Sequence, residues 1–170
     1  LAAEHRRRFD GQVIGITGSN GKTIVKEMLA AMVGRNRTVW RSPGSYNSQV
    51  GVALSIFGIR PEHEVAILEA GVSEPGEMER LEAMIAPDIG IITNIGEAHL
   101  AGFGDLEVTA SEKLKLFANI LGERVWNADD SVLRGRLANL EGLKLYGFGE
   151  AYDATFRIVN VTASGGGFDF

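Results

Sequence analysis

The chain has 170 residues, 45% of them hydrophobic and 23% charged, which is enough apolar sequence to bury a core and excludes disorder on composition. It contains no cysteine, so disulfides, thiolate metal sites and a cysteine nucleophile are excluded, and a cytoplasmic location is favoured over a secreted one. No apolar run approaches the ~18 residues that cross a bilayer, which excludes membrane insertion. The net charge of -5 offers no basic surface to nucleic acid.

Residues 1–11 are predicted to be a linker or the end of a preceding domain. Their basic residues follow the apolar ones and no apolar segment comes next, which is the wrong order for a signal peptide. Residues 12–170 are predicted to form one domain, and the chain is expected to be a fragment of a longer, multidomain protein.

Short apolar segments alternate with helical patterns through most of the chain. The predicted strands are residues 13–16, 38–40, 65–68, 89–92, 124–126 and 144–146. The longer of these are continuously apolar, as is typical of parallel strands covered on both faces. Helical spacing of apolar residues predicts helices over 24–33, 78–85 and 106–121. The alternation predicts an α/β fold of the doubly wound, P-loop type, with a mostly parallel sheet and helices on both faces.

The C-terminal part of the sequence does not continue this alternation of strands and helices. Residues 154–161 and 167–170 are predicted to be strands of a small antiparallel addition, separated by a glycine-rich segment at 163–167.

The strongest functional signal is the segment GITGSNGKT, Gly15 to Thr23, which follows a predicted strand and opens a predicted helix. In a P-loop, backbone N–H groups and the helix N-terminus bind phosphate, the lysine contacts the terminal phosphates and the hydroxyl contacts Mg²⁺. The spacing departs from the common P-loop pattern, because Ile16 stands where the first glycine belongs. The alternative is an ordinary glycine-rich turn. The predicted nucleotide-binding residues of the loop are Thr17, Gly18, Ser19, Asn20, Gly21, Lys22 and Thr23.

Two polar residues end neighbouring predicted strands. Glu69 ends the strand at 65–68, at the sheet edge where a Mg²⁺ ligand belongs, although a helix cap or a surface charge would explain it equally well. Asn94 follows the strand at 89–92, where it either holds the loop or contacts a nucleotide.

The loop sequence TGSNGKT resembles that of the Mur ligase family, the ATP-dependent amide-forming ligases of peptidoglycan synthesis, and of their folylpolyglutamate synthetase relatives. The similarity continues through SYNSQVGVALS, ILEAGVSEPGEME, PDIGIITNIGEAHLAGFG and SEKLKLF, and so covers at least Val13 to Phe117. It implies the central, ATP-binding domain of that family.

Within the family, ITGSNGKT, GEME and TNIGEAHLAGFG are most similar to the branch that adds D-alanyl-D-alanine to UDP-N-acetylmuramoyl-tripeptide. Ile24 and the segment SYNSQVGVALS depart from the usual sequence of that branch. Both departures resemble its version that is fused to an alanine racemase domain.

The resemblance also implies roles for residues that the spacing alone does not assign. It implies that His99 binds a second Mg²⁺, that a carbamylated Lys113 helps to hold the same ion, and that Asn47 lies near the active centre. Without the resemblance, Lys113 would be interpreted as a solvated lysine. The predicted catalytic residues are thus Lys22, Lys113 and His99, and the predicted metal ligands are Thr23, Glu69, His99 and carbamylated Lys113.

In the implied reaction, ATP converts a carboxylate to an acyl phosphate, which an amine then attacks. The UDP-linked peptide and D-alanyl-D-alanine are expected to bind through flanking domains that are not recognisable in this sequence, so this monomeric piece is expected to be inactive alone. The alternatives are a folylpolyglutamate synthetase-like ligase, a small-molecule P-loop kinase, and a nucleotide-binding module without catalysis.

Overall fold

The computed structural model describes residues 1–96, 104–137, 142–159, 162–164 and 167–169. The helices in these ranges are α1 (Ala2–Arg7), α2 (Lys22–Val33), α3 (Gln49–Phe57), α4 (Glu77–Ile85), α5 (Leu106–Leu114) and α6 (Ser131–Leu137). The strands are β1 (Gln12–Thr17), β2 (Val39–Arg41), β3 (Val65–Glu69), β4 (Ile89–Ile92), β5 (Arg124–Asn127), β6 (Leu145–Gly149), β7 (Phe156–Arg157), β8 (Thr162–Ser164) and β9 (Gly167–Asp169). None of the described helices is long and apolar enough to cross a membrane.

Seven strands form one sheet in the order β2-β3-β1-β4-β5-β6-β7, and every neighbouring pair is parallel. β1 lies between β3 and β4, with Ile14 opposite both Ile67 and Ile89. Carboxyl ends of parallel strands meet at one edge of the sheet, where α/β proteins bind their ligands. The loops that follow β1, β3 and β4 are therefore neighbours at that edge.

Alternate residues of β1 enter two separate hydrophobic cores. Val13 belongs to the larger core, together with Val52 of α3 and Leu81 of α4. Ile14 and Ile16 belong to the smaller core on the side of α2. Because successive side chains of a strand point to opposite faces, both faces of the sheet are covered by helices. This burial on two sides explains why the sequence of β1 is continuously apolar, and it confirms the predicted fold class.

All six predicted strands of the main sheet are confirmed as β1 to β6. The predicted helices at 24–33 and 78–85 are confirmed as α2 and α4. The predicted helix at 106–121 is too long, because α5 ends at Leu114 and a 3-10 turn, Lys115–Phe117, follows it. Leu121 is 95% exposed, so the apolar spacing continued by chance beyond the helix.

The predicted antiparallel strand pair near the C-terminus is present, but its strands begin and end at other residues than predicted. Instead of a strand over 154–161, the two-residue β7 pairs in parallel with β6 at the edge of the main sheet. The antiparallel pair consists of β8 and β9, so residues 163 and 164 lie in a strand and not in the separating segment. A strand as short as β7 has no recognisable sequence pattern, since backbone pairing with β6 suffices to form it.

Only half of the large apolar residues of α2 face the sheet: Val25, Leu29 and Val33 pack against the smaller core. Ile24, Met28 and Met32 lie on one side of the helix and are 67%, 55% and 63% exposed. The opposite face carries Lys26 and Ala30, which are buried. A buried lysine on this face reflects a polar partner below the helix.

Candidate nucleotide and metal site

The candidate site lies at the carboxyl edge of the three central strands. The segment between β1 and α2 forms the predicted phosphate loop, Glu69 is the last residue of β3, and Asn94 follows β4. The β3-β1-β4 order places these residues side by side, as the parallel sheet predicted.

The loop depends on two glycines with left-handed backbone angles. Gly18 has a φ of +136°, and a Cβ at this position would collide with the Thr93 hydroxyl. Gly21 has a φ of +80° and precedes α2, but a Cβ there would meet nothing within 4 Å. L-residues rarely adopt such angles, so both glycines are required for backbone reasons, and Gly18 also for close packing.

Asn94 holds the loop in place. Its side-chain oxygen accepts a hydrogen bond from Asn20 N at 2.9 Å, and its carbonyl oxygen accepts one from Ser19 N at 2.9 Å. Contact between Asn94 and a nucleotide stays a prediction. The same is true of Thr17, which is fully buried at the end of β1 and whose hydroxyl makes no hydrogen bond within the described residues.

The ammonium of Lys22 folds back over the loop. Its Nζ donates to Gly18 O at 2.7 Å and to Ser19 O at 3.3 Å. Burial lowers the pKa of Lys22, while the nearby carboxylate of Glu69 acts in the opposite direction. The cation therefore already lies on the segment that would surround a phosphate.

Glu69 is fully buried and faces the start of α2. Thr23 Oγ1 donates to Glu69 Oε2 at 3.1 Å, and the ammonium of Lys26 lies 2.9 Å from Glu69 Oε1. This position excludes a surface charge. Among the described residues Oε2 accepts this one hydrogen bond, and a carboxylate oxygen has a second lone pair, so Oε2 retains acceptor capacity next to the hydroxyl. Carboxylate and hydroxyl oxygens are hard ligands of the kind that Mg²⁺ prefers, so the residues present fit this ion.

Lys113 of α5 is also buried, at 1% exposure, and its Nζ lies 3.4 Å from Gly18 O. Burial lowers its pKa to about 8; repulsion from Lys22 adds to this effect and Glu112 opposes it. The interpretation of Lys113 as a solvated lysine is therefore wrong.

A cavity of about 140 Å³ brings together residues that are distant in sequence. Lys22, Lys113 and Asn47 all line it. Asn47 is held there because Gly71 N donates to its carbonyl oxygen at 2.8 Å. The predicted ligand His99 lies outside the residues that the structure describes.

Sequence reasoning missed two residues that organise this edge. Lys26 contacts Glu69, and the only sequence signal is its position three residues after Thr23, which places both on one face of α2. Glu112 accepts hydrogen bonds from the backbone N–H groups of Gly76 and Met78, which fixes the start of α4 beside Lys113. No pattern around Glu112 indicates this contact.

A family model described as the Mur ligase middle domain matches residues 16–170. The chain belongs to the Mur ligase family.

Curated relatives include UDP-N-acetylmuramoyl-tripeptide–D-alanyl-D-alanine ligases from several bacteria. The chain is 39% identical to that of Treponema pallidum over 141 residues, covering 82% of this chain and 31% of the relative. It is 32% identical to that of Bacillus subtilis over 167 residues, covering 97% of this chain and 36% of the relative. This Mur ligase chain thus spans about a third of the length of the curated relatives that it matches.

Solved structures agree with this placement in the Mur ligase family. The MurF ligase of Thermotoga maritima in complex with ADP superposes with a TM-score of 0.88 at 30% identity, covering 98% of this chain and 39% of that one. MurF from Acinetobacter baumannii gives 0.81 at 29% identity, covering 89% and 34%. A folylpolyglutamate synthetase complex (FPGS-AMPPCP) gives 0.70 at 15% identity, covering 96% and 52%, and so shares the fold.

Proposed function

We propose that this chain is the ATP-binding central domain of a ligase that joins D-alanyl-D-alanine to UDP-N-acetylmuramoyl-tripeptide. The observation that carries the proposal is the meeting of the phosphate loop, Lys22, the Thr23–Glu69 pair and buried Lys113 at one sheet edge. It is supported by relatives that bear this ligase's name over most of the chain. ATP and Mg²⁺ are the proposed cofactors.

The charges of the site suit a reaction between two anions. A substrate carboxylate and the terminal phosphate of ATP repel each other, so their approach requires fixed positive charge in a site with little water. Lys22 supplies an ammonium group, and the loop adds backbone N–H groups. Thr23 and Glu69 would hold Mg²⁺, which would further neutralise the charge of the phosphates.

The proposed chemistry needs no nucleophile from the protein. A carboxylate oxygen of the substrate bonds to the γ-phosphorus as ADP leaves; the amine then bonds to the acyl carbon as phosphate leaves and a proton is lost. The residues of this chain contribute binding, orientation and charge stabilisation.

We also propose that Lys113 is carbamylated in the active enzyme: the nitrogen of its neutral amine bonds to the carbon of CO₂, and one N–H proton is lost. The ammonium is buried near Lys22, where two like charges repel each other. A carbamate would replace this repulsion by attraction and would offer oxygen ligands to a second Mg²⁺, with His99 as the other proposed ligand.

The remaining proposals concern the rest of the protein. We place the UDP-linked peptide and the dipeptide in flanking domains, with residues 1–11 as a linker and 12–170 as the middle domain. The ligase is proposed to act as a monomer in the cytoplasm. A folylpolyglutamate synthetase-like ligase is the second candidate, supported by the shared fold. A noncatalytic module is disfavoured, because Glu69 and Lys113 lie next to the loop and not away from it.

Calorimetry with a non-hydrolysable ATP analogue and Mg²⁺ tests the nucleotide assignment on this chain. Lys22→Ala is expected to weaken binding by about tenfold or more, since a charge-assisted contact to phosphate contributes about 1.5–3 kcal/mol. Arg35→Ala, an exposed cation beyond the end of α2, is the matched control and should leave the affinity unchanged. Equal affinity of the wild type and Lys22→Ala would contradict the proposal.

A further inference from the structure

Lys26 is the largest buried polar group at the site that the proposed reaction does not use. Its side chain is completely shielded from solvent, and its Nζ lies 2.9 Å from Glu69 Oε1. The same ammonium donates to Ser42 O at 2.8 Å and to the carbonyl oxygen of Gly44. Two backbone carbonyls thus accept hydrogen bonds from this ammonium, and Glu69 Oε1 lies at ion-pair distance from it.

These contacts prevent Lys26 from following Glu69 if the carboxylate turns. Ser42 and Gly44 lie in the segment after β2, so two of the three partners belong to the backbone of another loop. Glu27 Oε1 lies 3.2 Å from the same Nζ, and the other oxygen of Glu27, Oε2, pairs with Arg41 Nε at 2.7 Å. The ammonium is thus held by contacts to the segment after β2 as well as by its ion pair with Glu69.

The two oxygens of Glu69 consequently have different environments. Oε1 faces Lys26, whereas Oε2 faces Thr23, whose hydroxyl is the other proposed ligand. A cation cannot approach Oε1 closely, because the ammonium already occupies that position and repels it. Only Oε2 is left for an ion bound next to Thr23.

A carboxylate restricted to one oxygen discriminates between divalent cations. Mg²⁺ requires compact octahedral coordination, whereas the larger Ca²⁺ accepts six to eight oxygens and commonly takes both oxygens of one carboxylate. We propose that Lys26 is a specificity-determining residue that makes the site select Mg²⁺ over Ca²⁺, by holding Glu69 in a one-oxygen orientation. This inference rests on the proposed nucleotide site.

The test compares the affinity of a non-hydrolysable ATP analogue in Mg²⁺ with its affinity in Ca²⁺, measured by calorimetry on the 170-residue chain. The wild type is expected to bind more tightly in Mg²⁺. Lys26→Gln keeps a donor for the carbonyls but removes the charge, and should reduce the Ca²⁺/Mg²⁺ ratio of dissociation constants by about tenfold, as loss of groups that orient metal ligands commonly does. Glu27→Gln changes the other carboxylate beside Lys26 and should leave the ratio unchanged.

The outcomes separate this inference from the proposed function. No binding with either cation would overturn both. Wild-type binding that is equal in Mg²⁺ and Ca²⁺, or an unchanged ratio in Lys26→Gln, would overturn the role of Lys26 and leave the nucleotide site intact.

A measurement on the wild type keeps the inference testable if Lys26→Gln does not fold. The infrared separation between the antisymmetric and symmetric carboxylate stretches widens when one oxygen binds a cation and narrows when both do. The Mg²⁺-dependent difference spectrum should show the wide separation for the band that Glu69→Gln removes. A narrow separation would overturn the inference.

Discussion

Replacing Gly18 by alanine tests the close packing of the phosphate loop against β4. The φ of +136° strains any L-residue, and the new methyl group would collide with the Thr93 hydroxyl. The strain costs about 1–3 kcal/mol. The shift that relieves the collision would break at least one loop contact, such as Ser19 N to Asn94 O, for about 1 kcal/mol more. We therefore expect the free energy of unfolding to fall by about 2–4 kcal/mol.

Gly21→Ala is the matched control, because its φ of +80° is also unfavourable but its methyl group would point into open space. It should cost only the backbone penalty of about 1–2 kcal/mol. Urea unfolding followed by circular dichroism measures both variants, and calorimetry with the ATP analogue should show weaker binding for Gly18→Ala. If Gly18→Ala is no less stable than Gly21→Ala, the collision with Thr93 is not what requires glycine there.

Three further outcomes are expected. Lys26→Met leaves Glu69 buried without its cation and should lower the free energy of unfolding by about 3–5 kcal/mol. The double variant Lys26→Met/Glu69→Gln should regain much of the lost unfolding free energy when it is measured by the same urea titration. Arg6→Ala removes buried donors to the carbonyls that end α4 and should lower the free energy of unfolding by about 1–3 kcal/mol. Arg8→Ala, at the exposed surface, should change it by less than about 1 kcal/mol. Equal losses of unfolding free energy in the two variants would contradict the capping role of Arg6. The pKa of Lys113 falls from 10.5 to about 8 in the folded state, so between these pH values the unfolded chain binds more protons than the folded one. The free energy of unfolding should therefore rise with pH across that window. Lys113→Met should abolish this rise in unfolding curves measured at the same pH values.

The central strands were predictable because burial on both faces of the sheet requires apolar residues along the whole strand. β1, β3 and β4 are covered on both faces, so nearly every residue is apolar. The phosphate loop was predictable because glycines at fixed positions and a Lys-Thr pair have few other uses. Glu69 was found because its strand ends at the ligand edge.

Helix α3 was not predicted, and its composition explains why. Val50, Leu54 and Phe57 are at least half exposed while Val52 and Ile56 are buried, so apolar residues surround the helix and no amphipathic pattern remains. Helix α6 has only seven residues, which is too short for a clear periodicity.

The burial of Lys26 and Lys113 was beyond local sequence reasoning. Lysine is ordinarily exposed, and its charge is tolerated inside only where a partner compensates it. The partners of Lys26 come from β3 and from the segment after β2, and Lys113 approaches a loop 95 residues away. Such contacts exist only once the sheet has assembled.

Because the side chain of Lys22 folds inward, the carbonyl oxygens of Gly18 and Ser19 compete with phosphate for its ammonium. Nζ already donates to both carbonyl oxygens, so phosphate binding would exchange these hydrogen bonds for new ones and would not simply add them. The affinity lost in Lys22→Ala therefore measures the difference between two satisfied states and underestimates the contact itself. The selectivity of the loop therefore depends on which anion offers the Lys22 ammonium better acceptor oxygens than the loop's own backbone does.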